Sequence, residues 1–119
     1  MNLPKIKAEF ILDANGKPQG RNSGDYKIRI SLAGAPEDSH RVTYHLDDSY
    51  YDAIRDVNDR STGFAEELTS YGDYEVKASI RVKDRAILTS RGLADALREA
   101  HAESTDPTVQ KALRDISDN

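Results

Sequence analysis

Three features of the sequence predict a mainly β protein, an antiparallel β-sandwich with a short C-terminal helical extension. Apolar residues recur at every second position in several short stretches, with charged or polar residues between them. Clusters of Gly, Pro, Asn, Asp and Ser separate those stretches and supply turn chemistry. After about residue 89 the apolar spacing lengthens to that of a helix. Strands that bury one face and solvate the other pack in pairs of sheets.

The first stretch, residues 5–12, sets Ile6, Ala8, Phe10 and Leu12 on one face and Lys5, Lys7 and Glu9 on the other. Residues 13–25 read as a long turn. Residues 26–32 alternate again, with Tyr26, Ile28, Ile30 and Leu32 inward, and a turn at Gly34-Ala35-Pro36-Glu37-Asp38 follows. In residues 41–46 Val42, Tyr44 and Leu46 face inward. Residues 47–63 are looser: Ile54 and Val57, three apart, suit a helical turn or an irregular strand, and residues 64–69 suit a strand or a short helix. Residues 74–83 give the cleanest alternation, with Tyr74, Val76, Ala78, Ile80 and Val82 on one face, and residues 85–89 suit a further strand. Thr89 or Ser90 then caps a helix running to about Ala102, with Leu93, Ala96, Leu97 and Ala100 along one side. Asp106-Pro107 opens a second short helix whose apolar stripe is Val109, Leu113 and Ile116. The expected organisation is a sandwich domain over residues 1–90 and a helical extension over 91–119.

Composition excludes several classes of function. The chain has 119 residues, no Cys and no Trp. A disulfide scaffold, thiol catalysis and cysteine-based zinc sites are thereby ruled out. Nine Leu, eight Ile, five Val and two Phe make about 20% of the chain, a proportion at which the pattern of residues must decide whether the chain folds. No apolar run reaches the roughly 18 residues that span a bilayer, and the N-terminus lacks the apolar core of a signal peptide. The expectation is a soluble, cytoplasmic protein with no membrane partner. The net charge of −4 disfavours a nucleic-acid partner.

That net charge hides a segregation. Residues 37–75 carry three basic and eleven acidic side chains, whereas residues 1–36 and 76–98 are net positive. Five of the six Tyr fall between positions 44 and 74. Such a stretch is either the solvated acidic face of an ordinary domain or part of a site.

Motifs for catalysis are missing. Residues 16–20 lack the spacing of a phosphate-binding loop. His40, His45 and His101 show no metal-ligand spacing, and no nucleophile elbow is present. Asp47, Asp48 and Asp52 do not fit a calcium-binding loop. No spacing demands a catalytic carboxylate pair, so neither an enzyme nor a metal or other cofactor is expected. Two aromatic segments stand out instead: His45-Leu46-Asp47-Asp48-Ser49-Tyr50-Tyr51, after one strand, and Thr69-Ser70-Tyr71-Gly72-Asp73-Tyr74, before another. If both lie at one end of a sandwich, aromatic faces beside carboxylates suit a cationic, lysine-like ligand. The other reading is that Tyr50, Tyr71 and Tyr74 seal the end of the core with their hydroxyls in water.

These segments carry a resemblance. Val42-Thr43-Tyr44-His45-Leu46-Asp47-Asp48-Ser49-Tyr50 is similar to the motif of YEATS domains in which a strand ends His-Leu-His-x-Ser-Phe. Ser70-Tyr71-Gly72-Asp73-Tyr74-Glu75-Val76 resembles that family's Gly-Trp-Gly-x-Phe-x-Ile segment, and Asp25-Tyr26-Lys27-Ile28-Arg29-Ile30 its earlier strand. The acidic, Trp-free version looks most like the prokaryotic YEATS-like branch. The resemblance implies an immunoglobulin-like sandwich and a non-enzymatic binding module. It implies that Tyr50 and Tyr71 sandwich the flat amide of an acylated lysine, with Tyr74 as a further wall. Ser49 and the backbone around Tyr71 and Gly72 would supply hydrogen bonds. Asp47 stands where the family has its second His, can accept from the Ser49 hydroxyl, and tilts the expectation toward a cationic ligand. The family's upstream cage aromatic falls near Asn22. The implied partner is a peptide or protein, with a modified lysine, in a prokaryotic signalling or defence system. The alternative is an assembly adaptor that uses the sandwich edge or the C-terminal helices and has no small-ligand site. The sequence leaves the oligomeric state open.

Overall fold

The computed structural model describes residues 4–20 and 25–118. Among the described residues seven strands form two antiparallel sheets. One sheet has the order β1-β2-β5, from Lys5–Phe10, Tyr26–Ala33 and Glu66–Ser70. The other has the order β4-β3-β6-β7, from Ile54–Val57, Arg41–His45, Glu75–Arg81 and Ala86–Gly92. This is the immunoglobulin-like sandwich that the sequence predicts.

The alternation of apolar residues becomes the inner faces of the two sheets. Ile6, Ala8 and Phe10 of β1, Ile28, Ile30 and Leu32 of β2, Val42 and Tyr44 of β3, and Val76, Ala78 and Ile80 of β6 are all buried. Because the side-chain period is two, pairing out of register by one residue would turn a whole row of these side chains to water. The registers Ala8↔Ile30 and Tyr44↔Ala78 keep the rows facing inward.

Tyr44 is a fully buried polar residue. Its hydroxyl donates to the Phe64 carbonyl at 2.7 Å. Burial pushes its ionisation well above the ordinary tyrosine range, so it stays neutral. Phe64 follows Gly63, and both have left-handed backbone, with φ of 56° and 73°. That conformation is costly for a bulky residue; burial of the Phe64 ring and the Tyr44 bond offset the cost.

Two arginines tie the open sides of the sandwich. On one side Arg55 of β4 donates to the Glu67 carbonyl of β5 at 3.3 Å. On the other, Arg91 of β7 donates to the Ile6 carbonyl of β1 at 3.0 Å. Each guanidinium takes up a carbonyl on a strand that ends its sheet, which blunts that edge for pairing with another chain.

Two helices complete the same core. Helix α1, Leu93–Ala100, lies against β1 and buries Leu93, Ala94, Ala96 and Leu97. Helix α2, Pro107–Ser117, buries Val109, Ala112 and Ile116, and the Asp106 carboxylate caps it by accepting from the Thr108 N–H at 2.8 Å. His101 follows α1 and stacks on Phe10, with ring centroids 5.2 Å apart. None of the described helices is long and apolar enough to cross a membrane.

The structure settles two open alternatives and corrects two local expectations. Residues 54–57 and 66–70 are strands, and Ile54 is 59% exposed on the edge strand β4. Leu12 does not share the inner face with Phe10, because β1 ends at Phe10 and Leu12 turns away to bridge Pro18. Thr89 and Ser90 do not cap α1. They belong to β7, which stays paired to β6 as far as Glu75↔Gly92, and the cap comes from elsewhere in the chain.

Candidate functional site

The two tyrosine-bearing segments meet at one end of the sandwich because the registers bring their strand ends together. Ser70 at the end of β5 pairs with Tyr26 at the start of β2, and His45 at the end of β3 pairs with Lys77 near the start of β6. The loops that leave these ends enclose an open cavity of about 480 Å³. Asp47, Ser49, Tyr50, Tyr71, Gly72 and Tyr74, the six residues singled out from the sequence, all line it.

The loop after β3 is held by its own backbone and by Asp47. The Tyr50 N–H donates to the Asp47 carbonyl at 3.1 Å, and the Ser49 N–H donates to Asp47 Oδ2 at 3.1 Å. The Ser49 hydroxyl first, and this N–H bond second, hold Asp47 below its ordinary pKa. Asp47 is therefore charged at neutral pH. Leu46, buried behind the loop, closes it by donating its N–H to the Ala53 carbonyl at 2.7 Å.

Tyr50 and Tyr74 form the fixed wall. Their rings meet edge to face, with centroids 5.7 Å apart and planes at 65°, a favoured aromatic geometry. The Tyr50 hydroxyl donates to the Thr69 carbonyl at 2.6 Å, and the Tyr74 hydroxyl donates to the Tyr50 hydroxyl at 3.1 Å. Burial first, then the bond to Tyr50, pushes the Tyr74 ionisation far above its ordinary value. Tyr71 differs from both: it is 64% exposed, and among the described residues its ring touches no other aromatic ring. One ring is thus free at the mouth while two are locked behind it.

The loop carrying Tyr71 is pinned from below. The buried Ser70 hydroxyl donates to the Gly72 carbonyl at 2.8 Å and accepts from the Gly72 N–H at 3.3 Å. At its far end the loop is joined to α1. The Leu93 N–H donates to the Tyr74 carbonyl and the Ala94 N–H donates to Asp73 Oδ1, each at 2.9 Å. Asp73 thus supplies the cap that was expected from Thr89 or Ser90.

Sequence reasoning missed four lining residues: Asp25, Thr69, Ser70 and Asp73. Thr69, Ser70 and Asp73 sit inside a segment already singled out. Asp25 could be found only through the strand register that sets Tyr26 beside Ser70. Tyr51 points fully into solvent and does not line the cavity. Position Asn22 lies outside the described residues. Among the described residues no group of three or more metal-ligating side chains gathers.

The fold agrees with comparisons to known proteins. Among curated protein sequences, none matches this chain closely enough to count as a relative. Several solved structures share its architecture. The yeast AF-9 homolog Yaf9 superposes with a TM-score of 0.54 at 16% identity, over 76% of this chain and 68% of that one. The Yaf9 YEATS domain bound to H3K27ac gives 0.54 at 14% identity, over 76% and 73%. The Yaf9 YEATS domain recognizing an H3K122suc peptide gives 0.52 at 13%, over 76% and 73%. At such identities the likeness is one of fold. The family model for the prokaryotic YEATS domain matches residues 26–90, the span from the start of β2 into β7 and over half of the sequence. With the sandwich, the paired loops and that match in place, the chain belongs to the prokaryotic YEATS domain family.

Proposed function

We propose that this chain is a non-enzymatic binding module that receives a lysine-like side chain, modified or cationic, of a peptide or protein partner in the tyrosine cavity. A cytoplasmic role in a prokaryotic signalling or defence system accompanies this reading. The observation that carries it is the contrast between the three rings: Tyr50 and Tyr74 are bonded into a fixed wall, while Tyr71 stands exposed across an open cavity. Tyrosines that only sealed the core would leave no such space. A long aliphatic stem ending in a polar head fits a slot that is aromatic at its sides and polar at its base. The solved relatives support the reading, since the Yaf9 YEATS domain is seen bound to H3K27ac and recognizing an H3K122suc peptide. The assembly-adaptor reading has less support, because the apolar faces of α1 and α2 are buried against the chain's own core.

The test is a screen of peptides bearing unmodified, methylated and acylated lysines against the full chain, read by NMR shift perturbation. Binding is expected to perturb residues around Tyr71. Tyr71→Ala should weaken it on the order of tenfold or more with the thermal melt unchanged, because an exposed ring contributes little to folding. If no peptide binds in a Tyr71-dependent way, the reading fails.

A further inference from the structure

The outer faces of the two sheets treat their charges differently. On the three-stranded sheet Arg29 of β2 pairs in register with Glu9 of β1 and Glu67 of β5, and its guanidinium lies 3.7 Å from the first carboxylate and 3.5 Å from the second. That face neutralises itself. On the four-stranded sheet Arg41 of β3 and Arg81 of β6 are direct cross-strand partners. Both are exposed, and neither forms an ion pair among the described residues. Like charges set opposite one another destabilise a sheet, so this pair costs the isolated chain and would gain from an acid supplied from outside.

The same face exposes apolar side chains, and its charge has a direction. After the arginine row comes the row of Asp56, Thr43, Ser79 and Leu88, and then the row of Ile54, His45, Lys77 and Ser90. Leu88 is 78% exposed and Ile54 59%. Between β6 and β7 an open groove of about 400 Å³ is lined by Lys77, Ser79, Leu88, Thr89 and Ser90, whose short hydroxyl side chains leave room beside the leucine. Glu75 stands at the tyrosine end of β6, its ionic neighbour Lys77 3.9 Å away on the same strand. Asp48 and Asp52 lie exposed on the loop at that end. At the opposite end Lys83 and Arg85, with Asp84 between them, add to the two arginines. The face is acidic at one end and basic at the other.

We infer that this face docks a second copy of the same chain in a closed two-fold dimer. A face with one acidic and one basic end complements itself when the two copies lie antiparallel, with the two-fold axis crossing the strands. An axis along the strands would set arginines against arginines. With the axis between the Ser79 and Lys77 rows, Arg81 of each copy meets the partner's Glu75, and Leu88 meets the partner's Ser90 at the groove. Four strands about 4.8 Å apart and roughly 20 Å long cover about 400 Å² a side, which makes the dimer weak and reversible. The inference is independent of the tyrosine cavity, because Arg41, Glu75, Arg81 and Leu88 do not line it.

The experiment is sedimentation velocity on the full chain from about 10 μM to about 1 mM, at low and high salt. A monomer–dimer equilibrium that weakens with salt is expected. Leu88→Ser should weaken it on the order of tenfold. Glu75→Arg and Arg81→Glu should each be monomeric alone, since each sets like charges together. An equimolar mixture of the two should dimerise again, because both ion pairs are then opposite in sign. Amide spectra of the separate variants should match the wild type away from the substitutions. If the wild-type chain stays monomeric throughout, the inference falls. If it dimerises but mixing the folded variants restores nothing, the copies meet elsewhere and the inference falls as well. A monomer that instead binds polyglutamate through Arg41 and Arg81 overturns the second copy as occupant and gives the face to an acidic partner.

Discussion

The Asp73 carboxylate accepts from the backbone N–H of Ala94 at 2.9 Å, so the loop that carries Tyr71 is also the N-terminal cap of α1. Gly92, at the cap position itself, has no side chain to do this. A helix needs its first N–H groups satisfied, and here a residue 21 positions earlier does so. The candidate site and the C-terminal helices therefore share a bond.

The first prediction tests that bond. Asp73→Ala should cost about 1 kcal/mol, as loss of an N-cap does, lowering the melting temperature by roughly 3–6 °C for a chain of this size. Asp73→Asn should retain most of the stability, since an amide oxygen also caps. Amide exchange at Leu93 and Ala94 should quicken in the Ala variant alone. Equal melts for wild type, Asn and Ala variants would show that the cap contributes nothing.

The second prediction orders two conservative variants. Tyr50→Phe removes the donor to the Thr69 carbonyl and the acceptor of the Tyr74 hydroxyl, both part-buried. Leaving such groups without partners should cost about 1–3 kcal/mol in urea denaturation. Tyr74→Phe removes one donor and leaves the Tyr50 bond to Thr69 in place, so its cost should be about 0.5–1.5 kcal/mol. If Tyr74→Phe proves the more damaging, the direction assigned to the hydroxyl pair is wrong.

The third concerns pH. The Phe10 N–H donates to His101 Nε2 at 3.0 Å, which requires that nitrogen to be unprotonated. The end of α1 favours a cation there, and Glu9 pulls the same way, but burial dominates and holds the imidazole below its ordinary pKa of 6.5. The folded state thus prefers neutral His101. As pH falls through about 6.5 the unfolded chain takes up this proton first. Stability must then drop until the folded state is protonated too, and below that point the contribution is constant. Denaturation at pH 7.5 and 5.0 should show a loss in the wild type that is smaller in His101→Gln. An equal or larger loss in the variant would clear His101 of the effect.

The strands that alternate strictly were legible in advance. The inward rows over residues 26–32, 41–46 and 74–82 are buried as their period dictates, Tyr26 and Tyr74 half-buried at the site end. Strands β4 and β5 were ambiguous because they carry few inward apolar residues: Ile54 is exposed, and β5 buries only Leu68 and Ser70. Their conformation is set by pairing with β3 and β2, and β2 lies far from β5 in sequence. The helix start was misplaced for a related reason. Thr89 and Ser90 are good caps in isolation, but the ladder to β6 holds them in β7.

For the site, the residue types determined the chemistry on offer: tyrosine faces, a serine and carboxylates within two short segments. Three matters waited on tertiary structure. Strand register decided that the segments face one another and that Asp25 joins them. Packing decided which rings are locked and which one is free. Hydrogen bonding decided that Tyr50, Ser70 and Tyr74 direct their protons to acceptors within the protein. Periodicity lies in the order of residues and survives in any fold that buries one face. The direction of a hydroxyl proton depends on which acceptor lies within 3 Å or so, and only the folded chain brings that acceptor into place.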